Sequence, residues 1–334
     1  MLTVGLIGYG YWGPNLARVF SELPDVSLHT LCDRSFERQR LARSRFHRLS
    51  TCTNPDELFR NPDIDAVLIA TPVSTHAQLA TQALKAGKHV YVEKPMSMRP
   101  EDAEHLTALA KRQRRILMVG HTFLYSPPVR KIKQMIDQQT LGRIYYINCS
   151  RVNLGLFQPD VSVFYDLAPH DISMILYWLN ADPLWVCAEG ASFVRKKILE
   201  VGFATMGFPR GVVAHLHVSW LAPSKLRQTT VVGSKRMILY DDTSNNEKVK
   251  LFDQGVVRNP ETFGEFQLTY RSGDVLSPHI DASEPLRNQA KAFVEAIESG
   301  RPPISDARFG GRVVRVLDAI EASSRQNGKR RWLR

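Results

Sequence analysis

Cysteine is scarce in this sequence. The 334 residues include four, at positions 32, 52, 149 and 187, and none of them stands in a C-x-x-C pair. That spacing argues against a disulfide framework and a zinc ribbon, so a reducing compartment, the cytoplasm, is the expected setting. Long apolar runs are also missing. A membrane helix needs roughly 20 apolar residues in a row, and the most apolar mid-chain stretch, Val161 to Leu179, is interrupted by Asp166, His170 and Asp171. The opening residues read as a strand, without the basic and apolar segments of a secretory leader. No His/Cys cluster has metal-ligand spacing, so no metal is expected.

Acid is the scarcer charge, with 33 Asp and Glu against 44 Lys and Arg, a formal +11. Such a balance suits an anionic ligand or nucleic acid. Many of the bases are scattered, several on one helical segment (Arg38, Arg40, Arg43, Arg45, Arg48), and none of the nucleic-acid-binding motifs is present. Hydrophobic residues at 43% and charged residues at 23% exclude a mainly disordered chain. The length supports two domains with a core each.

The first part alternates strand and helix patterns. Thr3 to Ile7 is a short apolar run ending in glycines, and Leu16, Val19, Phe20 and Leu23 follow at helical spacing. Val26 to Cys32 reads as a strand, and Asn54-Pro55-Asp56-Glu57 as a helix start. Ala66 to Ala70 is apolar throughout, as in a strand buried on both faces. A helix over about Thr75 to Ala86 precedes strands at His89 to Val92 and Ile116 to Val119. This order predicts a doubly wound parallel sheet. The second part differs. Ser126-Pro127-Pro128 opens a helix, Arg143 to Ser150 reads as a strand, and Ile172 to Leu179 as a helix. Strand runs then follow one another: Leu184 to Ala191, Leu199 to Met206, Val212 to Trp220, Thr229 to Val232, Met237 to Tyr240 and Val249 to Phe252. Two helices close the chain, Pro285 to Ser299 and about Phe309 to Ser324. The expected architecture is an α/β Rossmann domain over residues 1–122, then an α+β domain with a mainly antiparallel sheet over residues 123–334. The closing helices are free to pack back on the first domain.

Gly8-Tyr9-Gly10-Tyr11-Trp12-Gly13 is G-x-G-x-x-G between a strand and an amphipathic helix. Gly8 allows a tight turn, Gly10 lets backbone approach a pyrophosphate, and Gly13 lets helix and strand pack closely. The helix N-terminus offers N–H donors to an anion. Asp33 ends the second strand, 20 residues past Gly13, where a carboxylate binds a ribose 2′-hydroxyl and repels a 2′-phosphate. NAD is therefore the expected cofactor, and adjacent Arg34 leaves NADP open. Tyr11, Trp12, Thr71 and Pro72 join the cofactor list by topology. His76 follows one turn into the next helix, as a cofactor contact or a surface residue. Glu93-Lys94-Pro95 ends another strand at the same edge, where Lys94 can meet the nicotinamide ribose or a substrate hydroxyl. Asp166 and His170 stand at i and i+4, so a helix would bring carboxylate and imidazole together for acid–base work. Pro169 argues against regular helix there, and Asp171 reads as a first-turn dipole partner.

With these motifs the chain resembles the Gfo/Idh/MocA oxidoreductases. The matching text is GLIGYGYWG at residues 5–13, VLIATPVSTHAQLATQALKAGKHVYVEKP at 67–95 and DLAPHD at 166–171. The resemblance implies a Rossmann domain followed by an open-faced sheet that often forms a homo-oligomer, as a homodimer or homotetramer. It implies hydride transfer between a nicotinamide and a secondary alcohol of a sugar, sugar nucleotide or cyclitol. Lys94, Asp166 and His170 would be catalytic, with His170 or Lys94 as base and Asp166 orienting His170. Ala168 departs from the family's usual Gly. Further segments are similar to a sub-group with UDP-N-acetylglucosamine and UDP-N-acetylglucosaminuronate 3-dehydrogenases. That similarity points to His121, Tyr125, Arg151 and Asn153, the last two just past the first sheet strand, as substrate contacts. Two other readings stay open: a dehydrogenase of a free sugar, inositol or aminoglycoside-type intermediate, and a non-catalytic dinucleotide-sensing protein.

Overall fold

The structure is a computed structural model that describes all residues except 156, 159, 196, 259–267 and 334, and leaves out the side chains of 257, 258, 268 and 269. The chain runs β1 (Leu2–Ile7), α1 (Gly13–Ser21), β2 (Val26–Cys32), α2 (Phe36–Arg45), β3 (Ser50–Cys52), α3 (Asp56–Arg60), β4 (Ala66–Ile69), α4 (His76–Lys85), β5 (His89–Val92), α5 (Pro100–Gln113) and β6 (Leu117–Val119). It continues with α6 (Pro127–Asp137), β7 (Ile144–Leu154), α7 (Val163–Leu179), β8 (Trp185–Ala191), β9 (Val201–Gly207), β10 (Val213–Ser219), β11 (Leu221–Gly233), β12 (Met237–Asp241) and β13 (Val249–Phe252). Last come β14 (Gly255–Arg258), β15 (Leu268–Arg271), β16 (Val275–Leu276), α8 (Pro285–Ser299), α9 (Ala307–Ser324) and β17 (Arg331–Trp332). Two compact units emerge. The first holds Met1–Tyr125 with Ser283–Asp318, and the second Ser126–Ala282 with Ala319–Arg334.

In the first unit six parallel strands stand in the order β3-β2-β1-β4-β5-β6. This is the doubly wound arrangement, whose direction of winding reverses between β1 and β4. Every residue of β4 is fully buried, which is why its sequence shows no alternation. Phe20, Tyr91 and Phe293 meet edge-on, so α8 contributes to the same core. Gln289 of α8 ties in as well. It accepts from Tyr91 Oη at 3.0 Å and donates to the Val119 carbonyl at 3.2 Å.

In the second unit nine strands stand in the order β16-β13-β12-β11-β7-β10-β9-β8-β17. All adjacent pairs are antiparallel except β10 with β7. Helix α7 covers one face. There Phe164 lies so close to Gly202 that a Cβ would fall 2.2 Å from its ring. Tyr145, Tyr146, Phe203 and Val213 remain exposed on the sheet. The fold class thus agrees with the expectation from sequence.

Four local expectations need correction. β7 does not stop at Ser150. β11 pairs along it as far as Leu154 and β10 as far as Val152, so backbone partners on both sides carry the strand on and Arg151 and Asn153 lie within it. For the same reason β11 starts at Leu221, well before Thr229. α7 is one helix from Val163 to Leu179 with Pro169 inside it. A proline removes one N–H from the helix ladder, and the buried apolar faces of Phe164, Ile172, Ile175 and Leu176 outweigh that loss. Asp171 therefore sits deep within α7 and not in its first turn.

Candidate active site

The glycine turn lies where the sheet order reverses. Gly8 has φ +95°, and a Cβ on it would stand 2.6 Å from the Ala70 carbonyl oxygen. A Cβ on Gly13 would stand 2.3 Å from the Gly8 carbonyl oxygen. Both positions therefore require glycine. Gly10 differs: a Cβ there would meet nothing nearer than Arg38 at 3.9 Å. The backbone at Gly10 is thus open to a ligand, and no side chain caps the start of α1. Tyr11 is exposed and Trp12 half-buried beside it.

Asp33 is buried at the end of β2. Its Oδ2 accepts the Tyr9 N–H at 2.7 Å and its Oδ1 the Ser35 N–H at 2.8 Å. Arg38 approaches Oδ2 to 3.7 Å, and Arg34 is exposed. The carboxylate thus fixes the glycine turn. Each oxygen keeps a further lone pair, since a carboxylate offers about four acceptor sites. This open cradle with an acceptor at the end of β2 fits a dinucleotide.

Thr71 and Pro72 follow β4, Thr71 half-buried and Pro72 exposed. His76 is not a surface residue. It is 1% exposed, and its ring nitrogens each lie 2.9 Å from a carbonyl oxygen, of Pro95 and of Thr71. The imidazole ties the loop after β4 to the loop after β5. That task comes from tertiary packing, which helix periodicity does not report.

Lys94 is half-buried just past β5. Glu93 beside it is buried and accepts from the Lys94 N–H at 3.2 Å and from Tyr91 Oη at 3.4 Å. Burial pushes Glu93 up to about 7, against the lowering charge of Lys94. Gly120 leaves room for this carboxyl, since a Cβ there would lie 2.9 Å from Glu93 Oε2. His121 is 1% exposed, and neither ring nitrogen has a hydrogen-bond partner among the described residues. Burial first, and the charge of Lys94 second, push it down to about 3. Tyr125 is buried, and its hydroxyl stands 3.1 Å from Ser305 Oγ.

In the second unit Asp166 and His170 share a face of α7, one turn apart. Trp220 Nε1–H donates to Asp166 Oδ2 at 2.9 Å. Gly155 lies against the same indole, where a Cβ would be 2.6 Å from Trp220 Cδ1. Arg151, 3% exposed, forks onto Asp171 with Nε at 2.8 Å and Nη2 at 2.9 Å. Its donors serve the helix that carries His170. Asn153 is half-buried on β7. Sequence reasoning missed Trp220 as the partner of Asp166, Arg151 as the partner of Asp171 and Gln289 as a tie to β6. No local pattern could have revealed them, since each pairing spans 20 to 170 residues of chain.

A Rossmann sheet with a glycine-rich turn, joined in one chain to an α+β unit carrying an aspartate–histidine pair, defines a class of nicotinamide-dependent oxidoreductases. Family models agree: "Oxidoreductase family, NAD-binding Rossmann fold" matches residues 2–121 and "GFO/IDH/MocA C-terminal domain" matches residues 129–239. The chain belongs to the Gfo/Idh/MocA family of oxidoreductases and has its NAD-binding domain. It is 27% identical to UDP-N-acetylglucosamine 3-dehydrogenase of Acidithiobacillus ferrooxidans over 96% of this chain and 98% of that protein. It is 25% identical to myo-inositol 2-dehydrogenase of Thermotoga maritima over 92% of each. Its fold matches GenD2 from gentamicin A biosynthesis, solved in complex with NAD, with a TM-score of 0.84 and 22% identity over 100% of this chain and 96% of that one. Among the described residues no helix is long and apolar enough to cross a membrane.

Proposed function

We propose that this protein oxidises a secondary hydroxyl, at C3, of a UDP-linked amino sugar with NAD. The observation that carries the reading is the Asp166–His170 pair on α7, with Asp166 held by Trp220 at 2.9 Å. A carboxylate beside an imidazole fixes its orientation and supports its charged form, which suits a base working near neutral pH. His170 takes the hydroxyl proton, and Asp166 stabilises the resulting imidazolium. Lys94 donates to the same oxygen and steadies the charge that develops there. NAD, when bound, supplies the acceptor for the hydride that leaves the carbinol carbon, so a carbonyl remains.

The cofactor is held by Gly8, Gly10 and Gly13 at the turn, by Asp33 at the ribose, and by Tyr11, Trp12, Arg34, Thr71, Pro72, Glu93 and Lys94 along the crevice. His76 acts by positioning Thr71 and Pro95. His121 stays neutral and keeps two ring nitrogens for substrate hydroxyls. Asn153 and Tyr125 border the sugar, and Arg151 contributes through Asp171. The similarity to UDP-N-acetylglucosamine 3-dehydrogenase along nearly the whole chain supports a nucleotide sugar, and the +11 charge suits its diphosphate. The apolar side chains left exposed on the open sheet support assembly with further copies of the chain.

The test is NADH formation with excess NAD and, side by side, UDP-N-acetylglucosamine, its uronate, myo-inositol and glucose. Turnover confined to the UDP-sugars is expected. Turnover with the free polyols alone would keep the dehydrogenase and discard the nucleotide sugar.

A further inference from the structure

Cys32 is the last residue of β2 and Cys52 the last of β3, and they are register partners across these strands. Partners in register project to the same face of a sheet, and both side chains enter one hydrophobic cluster. All four cysteines are thiols, with Cys32 3% and Cys52 8% exposed. Neighbouring strands run about 4.8 Å apart, inside the roughly 4.4–6.8 Å Cα separation that a disulfide spans. β3 is only three residues long and forms the edge of its sheet, so local opening admits a small oxidant.

We infer that Cys32 and Cys52 form an oxidisable thiol pair that closes to a disulfide under peroxide and, in closing, loosens the NAD site. Cys52 is the attacking group. It lies on the edge strand, where its thiol donates to the Asn54 carbonyl at 3.5 Å, and its interaction with Cys32 lowers Cys52 and raises Cys32. The Cys52 thiolate attacks hydrogen peroxide, the O–O bond breaks, and Cys52 sulfenic acid forms as hydroxide leaves. Cys32 sulfur then attacks that sulfur. The S–S bond forms, the S–O bond breaks, and the thiol proton departs with the hydroxyl as water. Two thiols have lost two electrons and the peroxide has gained them.

The effect on NAD follows from what surrounds the pair. The Cys32 carbonyl accepts the Gly8 N–H at 2.8 Å. The Cys52 carbonyl accepts the Asp33 N–H at 3.2 Å and Gln39 Nε2 at 3.1 Å. Disulfide closure draws two Cβ atoms to about 3.8 Å. That displaces β3 against β2 and strains the bonds that set Gly8 and Asp33. By reciprocity, bound NAD should slow the oxidation. The inference rests on NAD binding at the glycine turn and not on the choice of substrate.

The full-length protein is treated with hydrogen peroxide and analysed by mass spectrometry and by calorimetric NAD titration. A Cys32–Cys52-linked peptide, an NAD Kd raised at least about tenfold, and recovery with dithiothreitol are expected. Saturating NAD beforehand should delay the linked peptide. Cys52→Ser should bind NAD as the reduced protein does and be insensitive to peroxide. No linked peptide, or a linked peptide with unchanged Kd, overturns the inference, as does a peroxide-induced loss of NAD in Cys52→Ser. If that variant does not fold, reversal and NAD protection in the unaltered chain decide the matter.

Discussion

Arg151 and Asp171 form a buried ion pair in the second unit. Both are buried, and each satisfies the other through two bonds of 2.8 and 2.9 Å. Removing one partner strands the other in a low-dielectric interior. Arg151→Ala should therefore cost about 3–5 kcal/mol of stability, and the double Arg151→Ala/Asp171→Ala variant clearly less. Urea unfolding of Arg151→Ala, Asp171→Ala and the double variant beside the unaltered protein measures this; a double variant that loses the sum of the two single losses would show that the pair is not coupled. Lys94 and His170 are the residues proposed above for the chemistry. His170→Ala should lower turnover by about 10²–10⁴-fold, the usual range for a general base. Loss of His170 should also remove the acid limb of the kcat/KM profile, since the base no longer has to shed a proton. Lys94→Ala should lower turnover while NAD affinity, read by calorimetry, stays within a few-fold. Unaltered turnover in both variants would remove them from the mechanism.

At the scale of elements, the turn between β1 and α1 is legible in sequence because it is short and sterically exact. A methyl group on Gly13 would lie 2.3 Å from the Gly8 carbonyl oxygen. Gly13→Ala should thus cost about 1–3 kcal/mol by overpacking and weaken NAD, checked by thermal unfolding and NAD titration together. Full stability and full affinity would mean that the turn yields freely. α7 was less legible. Its apolar periodicity is plain from Ile172 to Leu179, but Pro169 hides its beginning, because proline's cost is local whereas the compensating burial is tertiary. β7 was cut short for a related reason. The run reads as ending at Ser150 because the backbone partners that carry it on, β10 to Val152 and β11 to Leu154, are set by tertiary pairing.

For the whole molecule, two buried groups set opposite pH trends. Glu93 is raised from 4.5 to about 7. Between these values the folded protein keeps a proton that the unfolded chain has released, so stability from this group falls as pH rises. His121 is lowered from 6.5 to about 3. Between those values the unfolded chain binds the extra proton, so stability falls as pH drops. Glu93→Gln should therefore flatten the loss of stability between pH 4.5 and about pH 7, measured by urea midpoints. An unchanged slope would exclude Glu93 as its source. Assembly is the second property at this scale. Phe203 is 45% exposed on the open sheet and stacks on His217 at 4.6 Å. Phe203→Asp should lower the mass seen by sedimentation if copies of the chain meet on this face, and an unchanged mass would place their contact elsewhere.

By itself the sequence determined the alternation of strands and helices in the first unit, the glycine turn, the run of strands in the second and the Asp166–His170 spacing. These rest on short-range rules: side-chain period, the φ that only glycine adopts freely, and one turn of helix. Only the tertiary structure decided that His76 is buried between two loops, that Arg151 serves Asp171, that Trp220 holds Asp166 and that Ser283–Asp318 belongs with the first unit. Each of these joins residues distant along the chain. Their energy comes from satisfying a buried polar group, and local periodicity carries no record of which partner will arrive to do it.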